Sequence, residues 1–334
     1  MKKDKPLVTC VVSIYNLSDC VERCVNSLLA QDYENLQIML VDDGSTDDSL
    51  SVCIKMAEAF DSIRVLSKEN GGLSSARNYA VSKIKEGFIV FVDIDDVVAP
   101  DYISALVSAN NNDKSCISVV GLYQTGNPDA WLASQRAGTY NVTLFDSDEA
   151  IRRLLAGNGV NESPCGKLAS ADIWRKIPFP EGRVYEDLSI MAKTFGEAER
   201  IAVVESKLYG QVYREGSITR KKIDNKQFFD FVFAVRDVDS FVQKHFGTPI
   251  KELTIFRVLM CARMLRLAND LTTKTRDCDS VLNEARMYLK NNEISVLTDF
   301  SICFSLKAKM VLILHFPSVY QTMYSLSERR KMRA

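Results

Sequence analysis

The chain has 334 residues, carries 42 Lys and Arg against 43 Asp and Glu, and is 46% apolar, which is ample for a core and too much for one small domain. A net charge of −1 with no long basic tract argues against a nucleic-acid partner, since phosphate contacts need clustered Lys and Arg. Nine scattered cysteines without a Cys-x-x-Cys, and only two histidines, indicate neither a disulfide framework nor a structural zinc site.

The charged start, Met-Lys-Lys-Asp-Lys-Pro, precedes an apolar stretch at 7–14 that is too short for a signal peptide's core, and no apolar run is long enough for a transmembrane helix. A cytoplasmic location is expected. Residues 7–14 predict a strand, and 19–30 a helix with Val21, Cys24, Val25 and Leu28 on one face. Residues 36–41 predict a second strand, 47–60 a helix, 63–66 a strand, 74–83 a short helix and 88–92 a strand. Asp19 and the cluster 45–48 stand where helix N-termini want side-chain acceptors. This alternation predicts an α/β fold with a mostly parallel, doubly wound sheet whose strands are buried on both faces.

From 110 to 161 the periodicity weakens, with loops expected at 110–113, 125–129 and 158–161. A compact set of charged and aromatic residues follows at 181–216. Beyond 221 the helical period predominates at 227–246, 251–271, 281–290 and 306–326, separated by 247–249, 272–279 and 291–292.

Two acidic turns follow apolar strands. Asp93, Asp95 and Asp96 lie in Asp-Ile-Asp-Asp, where carboxylates at a strand end supply oxygen ligands for Mg²⁺ or Mn²⁺ and leave positions for phosphate oxygens. The plainer alternative is a turn with solvated acids. Asp42 and Asp43 precede Gly44-Ser45-Thr46, and a carboxylate there can accept from a base N–H or ribose hydroxyls. Between them, Asn70-Gly71-Gly72-Leu73 joins a strand to a helix and sets Arg77 in the first helical turn, where guanidinium and helix N-terminus both favour a diphosphate. Neither a Gly-x-Gly-x-x-Gly nor a Walker pattern occurs, which argues against dinucleotide-binding and P-loop enzymes.

In this order and spacing, Val12-Ser13-Ile14-Tyr15-Asn16, Val41-Asp42-Asp43-Gly44-Ser45, Glu69-Asn70-Gly71-Gly72-Leu73-Ser74-Ser75-Ala76-Arg77-Asn78 and Phe91-Val92-Asp93-Ile94-Asp95-Asp96 resemble the inverting, GT-A-type family 2 glycosyltransferases. Pro164-Cys165-Gly166-Lys167-Leu168 and Phe179–Asp187 resemble acceptor-side motifs of bacterial members that build surface polysaccharides, and Tyr213-Arg214-Glu215-Gly216-Ser217-Ile218-Thr219 is similar to a later segment of the same members. The resemblance implies a Rossmann-like GT-A domain over 1–220, its nucleotide-sugar half at 1–100 and its acceptor half at 101–220, followed by a helical region at 221–334.

It also implies a nucleotide-sugar donor, often UDP-linked, a glycan or lipid-linked glycan acceptor, and Mn²⁺ or Mg²⁺. By residue matching, Ser13, Tyr15, Asn16, Asn70, Gly71, Gly72, Arg77 and Asp42 or Asp43 serve the nucleotide. Asp93 serves the donor and, with Asp95, the metal; Lys167 and Arg214 lie on the acceptor side. Asp187 matches the general base of a hexosyl- or N-acetylhexosaminyltransferase, with Glu186 competing because adjacent residues at a helix start point in different directions. Ser13 replaces the family's usual Pro, and Gly166 replaces a larger residue before Lys-Leu, a change expected to reshape the acceptor pocket.

Two alternatives stand beside this reading: a nucleotidyltransferase, which would want a Gly-rich basic loop after the first strand, and an inactive sugar-nucleotide-binding scaffold. The apolar stretch 306–326 runs into Arg329-Arg330-Lys331-Met332-Arg333. Such an end suits either contact with an anionic membrane surface at its inner face or a core helix with a solvated tail.

Overall fold

The computed structural model describes residues 5–214, 222–299, 302 and 304–331, and these belong to two compact units, Met1–Arg214 and Glu215–Ala334. Residues 215–219 of the last motif, the side chains of 327–331 and residues 332–334 lie outside what is described.

The first unit begins as predicted: β1 (Val8–Ile14), α1 (Ser18–Leu29), β2 (Leu36–Asp42), α2 (Ser49–Ala59), β3 (Ile63–Ser67), α3 (Leu73–Lys83) and β4 (Phe88–Asp93). These strands are parallel in the order β3-β2-β1-β4. Residues of β1 and β4 are almost all buried, as strands covered on both faces must be. The chain builds outward from β1 to β3 and then returns to pair β4 on the other side of β1. This reversal opens a crevice at the carboxyl ends of β1 and β4, where Ser13 and Asp93 are register partners.

The start of α1 is capped from a distant turn rather than locally. Asp19 lies inside the first turn of α1 and does not cap it; instead Ser18 N–H donates to Asp47 Oδ2 at 3.1 Å and Leu17 N–H to Ser49 Oγ at 3.0 Å. Asp47 also accepts from Ser49 N–H at 3.0 Å, so one acidic side chain ties the starts of α1 and α2 together.

The chain continues through β5 (Val97–Val98), α4 (Tyr102–Asn110), β6 (Cys116–Thr125), α5 (Pro128–Ser134), β7 (Val142–Asp146), α6 (Ser147–Ala156), β8 (Lys167–Ser170), α7 (Ala171–Lys176), α8 (Glu186–Gly196) and β9 (Arg200–Val212). The sheet extends β4-β8-β6-β9-β5, with β7 also on β9. The sheet stays mostly parallel in strand direction, as expected, and becomes mixed where β5, β7 and β8 run against the rest. β8 runs antiparallel to β4 and β6, and β9 is parallel to β6 but antiparallel to β5 and β7. The weak periodicity of 110–161 hides two strands and two helices. β6 leaves the core midway, and β7 exposes Val142 and Leu144, so neither shows an unbroken apolar run.

Gly166 enters β8 at φ +72°, and a Cβ there would lie 2.9 Å from Leu122 Cδ2 and 3.2 Å from the Val120 oxygen. The departure noted at this position is thus demanded by the backbone and by the close approach of β6.

In the second unit, α9 (Asn225–Phe246) opens with an Asp224/Gln227 capping box and stops at Gly247, in the left-handed region. It is followed by α10 (Lys251–Leu267), α11 (Arg276–Thr298), α12 (Phe304–His315) and α13 (Pro317–Lys331). Beyond shifts at helix ends, with α10 stopping at Leu267 and α11 starting at Arg276, two separators differ from expectation. α11 runs through Asn291-Asn292, because Leu289 and Val296 on either side are both in the helical core. The stretch 306–326 is two helices: Pro317 cannot donate the N–H a continuous helix needs but is well suited to the first turn of a new one. Among the described residues no helix is long and apolar enough to cross a membrane.

Gly166→Ala is expected to destabilise the first unit by about 1–3 kcal/mol through left-handed strain and overpacking. Urea unfolding followed by the fluorescence of Trp131 and Trp174, both in that unit, reads this as a lowered midpoint.

Candidate active site

The carboxyl ends of the parallel strands carry four turns, and their side chains interlock. Asn16 takes a left-handed conformation (φ 52°) after β1, and its Oδ1 accepts from Thr46 N–H at 2.7 Å, latching the first turn to the second. Asp42 is buried and accepts from the Ser67 hydroxyl at 3.2 Å and from Ser45 N–H at 3.3 Å. Asp43, also buried, accepts from Lys68 Nζ at 2.8 Å, Gly71 N–H at 3.1 Å and Gly72 N–H at 2.7 Å. Charge-assisted bonds of this kind compensate a buried carboxylate, so the glycine turn is folded around Asp43. Gly44 permits the approach: at φ +72°, a Cβ would sit 2.7 Å from Asn70 N. The Tyr15 ring stands half-exposed above the crevice, and the Ser13 hydroxyl is buried without a hydrogen-bond partner.

Arg77, on α3, does not reach outward from the first helical turn. It is 3% exposed, and its guanidinium donates to Asp93 Oδ1 and to Glu186 Oε1, both at 2.9 Å. The rings of Phe91 and Phe179 lie 5.7 Å and 5.2 Å from it. Burial alone would ease its deprotonation, but Asp93 and Glu186 outweigh that and hold it firmly charged. Arg77 therefore joins the end of β4 to the start of α8.

The Asp93–Asp96 turn is held from three sides. Tyr209, fully buried on β9, accepts from Asp93 N–H at 3.0 Å and donates to Asp96 Oδ2 at 2.8 Å. Val212 N–H donates to Asp96 Oδ1 at 2.8 Å. From α1, Arg23 donates to the Asp95 carbonyl at 3.0 Å and the Cys24 thiol lies 3.7 Å from the Asp93 carbonyl. Of the three acids, Asp93 and Asp95 keep partly exposed side chains while Asp96 is buried. Burial, and then the neighbouring Asp93, push the Asp95 carboxyl above its ordinary range, and Arg214 Nε stands 3.7 Å from Asp95 Oδ2.

The start of α8 presents the second pair of acids. Tyr185 precedes it in the left-handed region (φ 62°), an outlier for a bulky residue that sets how Glu186 and Asp187 leave the backbone. Glu186 goes to Arg77. Among the described residues, Asp187 Oδ1 accepts only from its neighbour's amide, Leu188 N–H at 2.7 Å. Burial, then the charges of Glu186 and Glu162, push the Asp187 carboxyl up to about 7. Lys167 is fully buried, donates to Asn161 Oδ1 at 3.0 Å and to the Ser163 carbonyl, and is lowered by burial to about 8.

A family model for glycosyl transferase family 2 matches residues 9–177. The chain belongs to glycosyltransferase family 2. It is 32% identical over 228 residues to glycosyltransferase GlyG of Streptococcus pneumoniae serotype 4, covering 65% of this chain and 74% of GlyG. It is 28% identical over 218 residues to glycosyltransferase GlyA of the same organism, covering 64% of this chain but only 31% of GlyA. Among solved structures, S. aureus TarS 1–349 in complex with UDP-GlcNAc superposes at TM-score 0.56 with 16% identity, over 96% of this chain and 92% of that one. The mannosyltransferase PcManGT of Pyrobaculum calidifontis, in complex with GDP-Man and Mn²⁺, does so at 0.52 with 16% identity, over 94% and 88%. These neighbours are GT-A type, and the fold of this glycosyltransferase is the one they share.

A divalent cation fits the crevice on the chemistry of its donors. Asp93 and Asp95 offer partly exposed carboxylates side by side, and the raised pKa of Asp95 marks negative charge that the fold leaves under-compensated. Among the described residues no group of three or more His, Cys, Asp or Glu could hold a metal. Two carboxylates supplemented by phosphate oxygens and water is the pattern Mg²⁺ sites use.

The structure brings Asp93, Arg77 and Glu186 into direct hydrogen-bond contact, with Asp95 and Asp187 next to them in the chain, and it buries both Arg77, which the sequence assigns to the nucleotide, and Lys167, which the sequence assigns to the acceptor side. Sequence reasoning missed Tyr209, Arg23 and Glu162. No local pattern marks them, since each meets the site through a contact distant in sequence. Arg77→Gln strands two carboxylates and is expected to cost about 3–5 kcal/mol. Thermal unfolding checks this; a variant as stable as the wild type would show that the bridge contributes nothing.

Proposed function

We propose that this glycosyltransferase moves a hexosyl or N-acetylhexosaminyl group from a UDP-sugar to a hydroxyl of a glycan or lipid-linked glycan, with inversion, in surface-polysaccharide synthesis. The observation that carries the reading is the half-buried Asp187 carboxyl, poised near neutrality beside a Glu186 that Arg77 already occupies. A general base works best with a pKa near the working pH. Asp187 takes the proton of the acceptor hydroxyl as its oxygen bonds to the anomeric carbon, and the carbon–oxygen bond to the nucleoside diphosphate breaks.

The other residues divide by position. Asp42, Asp43, Asn16, Asn70, Gly71 and Gly72 shape the floor of the nucleotide pocket, with Ser13 and Tyr15 at its rim. Arg77 serves the donor through Asp93 and orients Glu186. Asp93 and Asp95 hold Mn²⁺ or Mg²⁺, which when bound offsets the charge of the leaving diphosphate. Lys167 supports the acceptor side from beneath, and Arg214 stands near the diphosphate. The UDP-GlcNAc in the TarS complex favours a UDP-sugar, and the Mn²⁺ in the PcManGT complex favours a metal.

Nucleotide release from a panel of UDP-, GDP- and dTDP-sugars, with and without Mn²⁺, tests the chemistry. For the productive donor, kcat/KM should rise with pH through about 7 and then level off, because the base acts only when ionised. Asp187→Asn should lower the rate by about 10²-fold or more, whereas Glu186→Gln should keep a rising profile but move its rise to lower pH, because one of the charges that raise Asp187 is gone. A sign follows for stability. Asp187 is raised above its unfolded value, so its contribution is fully present below about pH 4 and is lost as pH rises through about 7. Asp187→Asn should therefore unfold at a temperature about 2–4 °C higher at pH 8 and show little gain at pH 4. An equal shift at both pH values would sink the assignment.

The chain is further proposed to work in the cytoplasm, touching the inner membrane face through its C-terminal end. On α13, Val319, Met323 and Leu326 stand exposed at helical spacing, with Phe316 just before them. The sequence then reads Arg329-Arg330-Lys331-Met332-Arg333. Flotation with vesicles containing anionic phosphatidylglycerol should recover the full chain and lose it on deletion of 327–334; unchanged recovery would remove the role of the tail.

A further inference from the structure

We propose that Tyr209 is a positioning residue for the Asp93/Asp95 carboxylate pair, acting through its hydroxyl on the backbone that carries them. The proposal rests on the reading of those carboxylates as the cation and diphosphate site. Tyr209 touches neither, and its hydroxyl closes a ring of hydrogen bonds beneath them: Asp93 N–H donates to it at 3.0 Å, it donates to Asp96 Oδ2 at 2.8 Å, and Asp96 N–H donates back to the Asp93 carbonyl at 2.9 Å.

Three features make this ring more than core packing. Tyr209 is fully buried, its ring held edge-on against Tyr102 at 6.0 Å between centroids, so the hydroxyl has one place to be. Val212, three residues on in the same strand, holds the other oxygen of Asp96 at 2.8 Å, and β5, which leaves the turn directly, pairs with β9 at Val97↔Gly210. β9 thus grips the turn at its first residue, its last residue and its exit. The bonds also consume the amides of Asp93 and Asp96, so neither is left to solvate the two outward carboxylates. A hydroxyl that fixes the backbone of a ligating residue is worth roughly ten- to a hundredfold in metal affinity in comparable supporting shells.

The test compares the full-length wild type with Tyr209→Phe, which keeps the ring and deletes the hydroxyl. Mn²⁺ binding is titrated by electron paramagnetic resonance at saturating UDP, UDP binding is measured in EDTA, and amide exchange of residues 92–97 is followed without metal. The variant should bind Mn²⁺ about tenfold more weakly, bind UDP in EDTA to within about twofold, and exchange the 92–97 amides faster. Lowered thermal stability with unchanged Mn²⁺ affinity would overturn the proposal and leave Tyr209 a core residue. No Mn²⁺ binding by the wild type would instead remove the metal reading and the proposal with it. Should Tyr209→Phe not fold, Asp96→Asn breaks the same ring from the other partner and must show the same loss of Mn²⁺ affinity.

Discussion

A buried guanidinium is the constraint on which the first unit turns. Taking Arg77 out of water is expensive by several kcal/mol, and it is tolerated only because two carboxylates and two aromatic faces meet it at once. Those partners come from β4, the start of α8 and the loop at Phe179, so no half of the unit can compensate the charge alone. The β1–β4 portion of the unit and the chain that follows it are thereby made to close on each other. Phe91, Trp174 and Phe179 support the same point, their rings packed edge-on and stacked at 4.9 to 5.8 Å.

One consequence falls on the neighbouring acid. Arg77 has two arms, and they are taken by Asp93 and Glu186, so Asp187 is left facing burial and two like charges. A carboxyl in that position is a poor contributor to stability and a good proton acceptor near neutrality. Tyr185, forced into the left-handed region one residue before Glu186, adds strain of about 1–3 kcal/mol at the same place. Lys167, fully buried and easier to deprotonate than a surface lysine, lies in the adjoining strand. Stability lost at one cluster and supplied by the sheet around it is a common arrangement where chemistry is done.

Legibility in the sequence followed the range of the interactions. β1, β2 and β4 were readable because burial on both faces writes a continuous apolar run, and the turns after them were readable because their chemistry sits within a few residues. β6 and β7 were not, since half of each faces solvent and the pairing that makes them strands comes from β9, far along the chain. Pro317 was a local signal that should have divided 306–326, whereas Asn291-Asn292 stayed helical because tertiary packing of Leu289 and Val296 overrode a weak preference. At the site, the acids were visible and their allegiances were not. That Glu186 takes the arm of Arg77 while Asp187, among the described residues, forms no ion pair of its own depends on geometry across more than a hundred residues.

Asp43, Asp93, Asp95 and Asp96, at the ends of β2 and β4, look alike as sequence and behave differently because the fold supplies amide donors unevenly. Asp43 receives two N–H groups from the Gly71-Gly72 turn and an ammonium from Lys68, so its charge is settled within the protein. In the Asp93–Asp96 turn the corresponding amides are diverted: Asp93 N–H goes to Tyr209, Asp96 N–H to the Asp93 carbonyl, and Val212 N–H to the buried Asp96. Asp93 keeps one oxygen on Arg77, and Asp95 has Arg214 at a distance too long for a hydrogen bond. Their remaining negative charge is what a bound cation would relieve. The same strand-end chemistry therefore yields an internally bonded carboxylate after β2 and open carboxylates after β4, and what separates the two is where the backbone N–H groups have been sent.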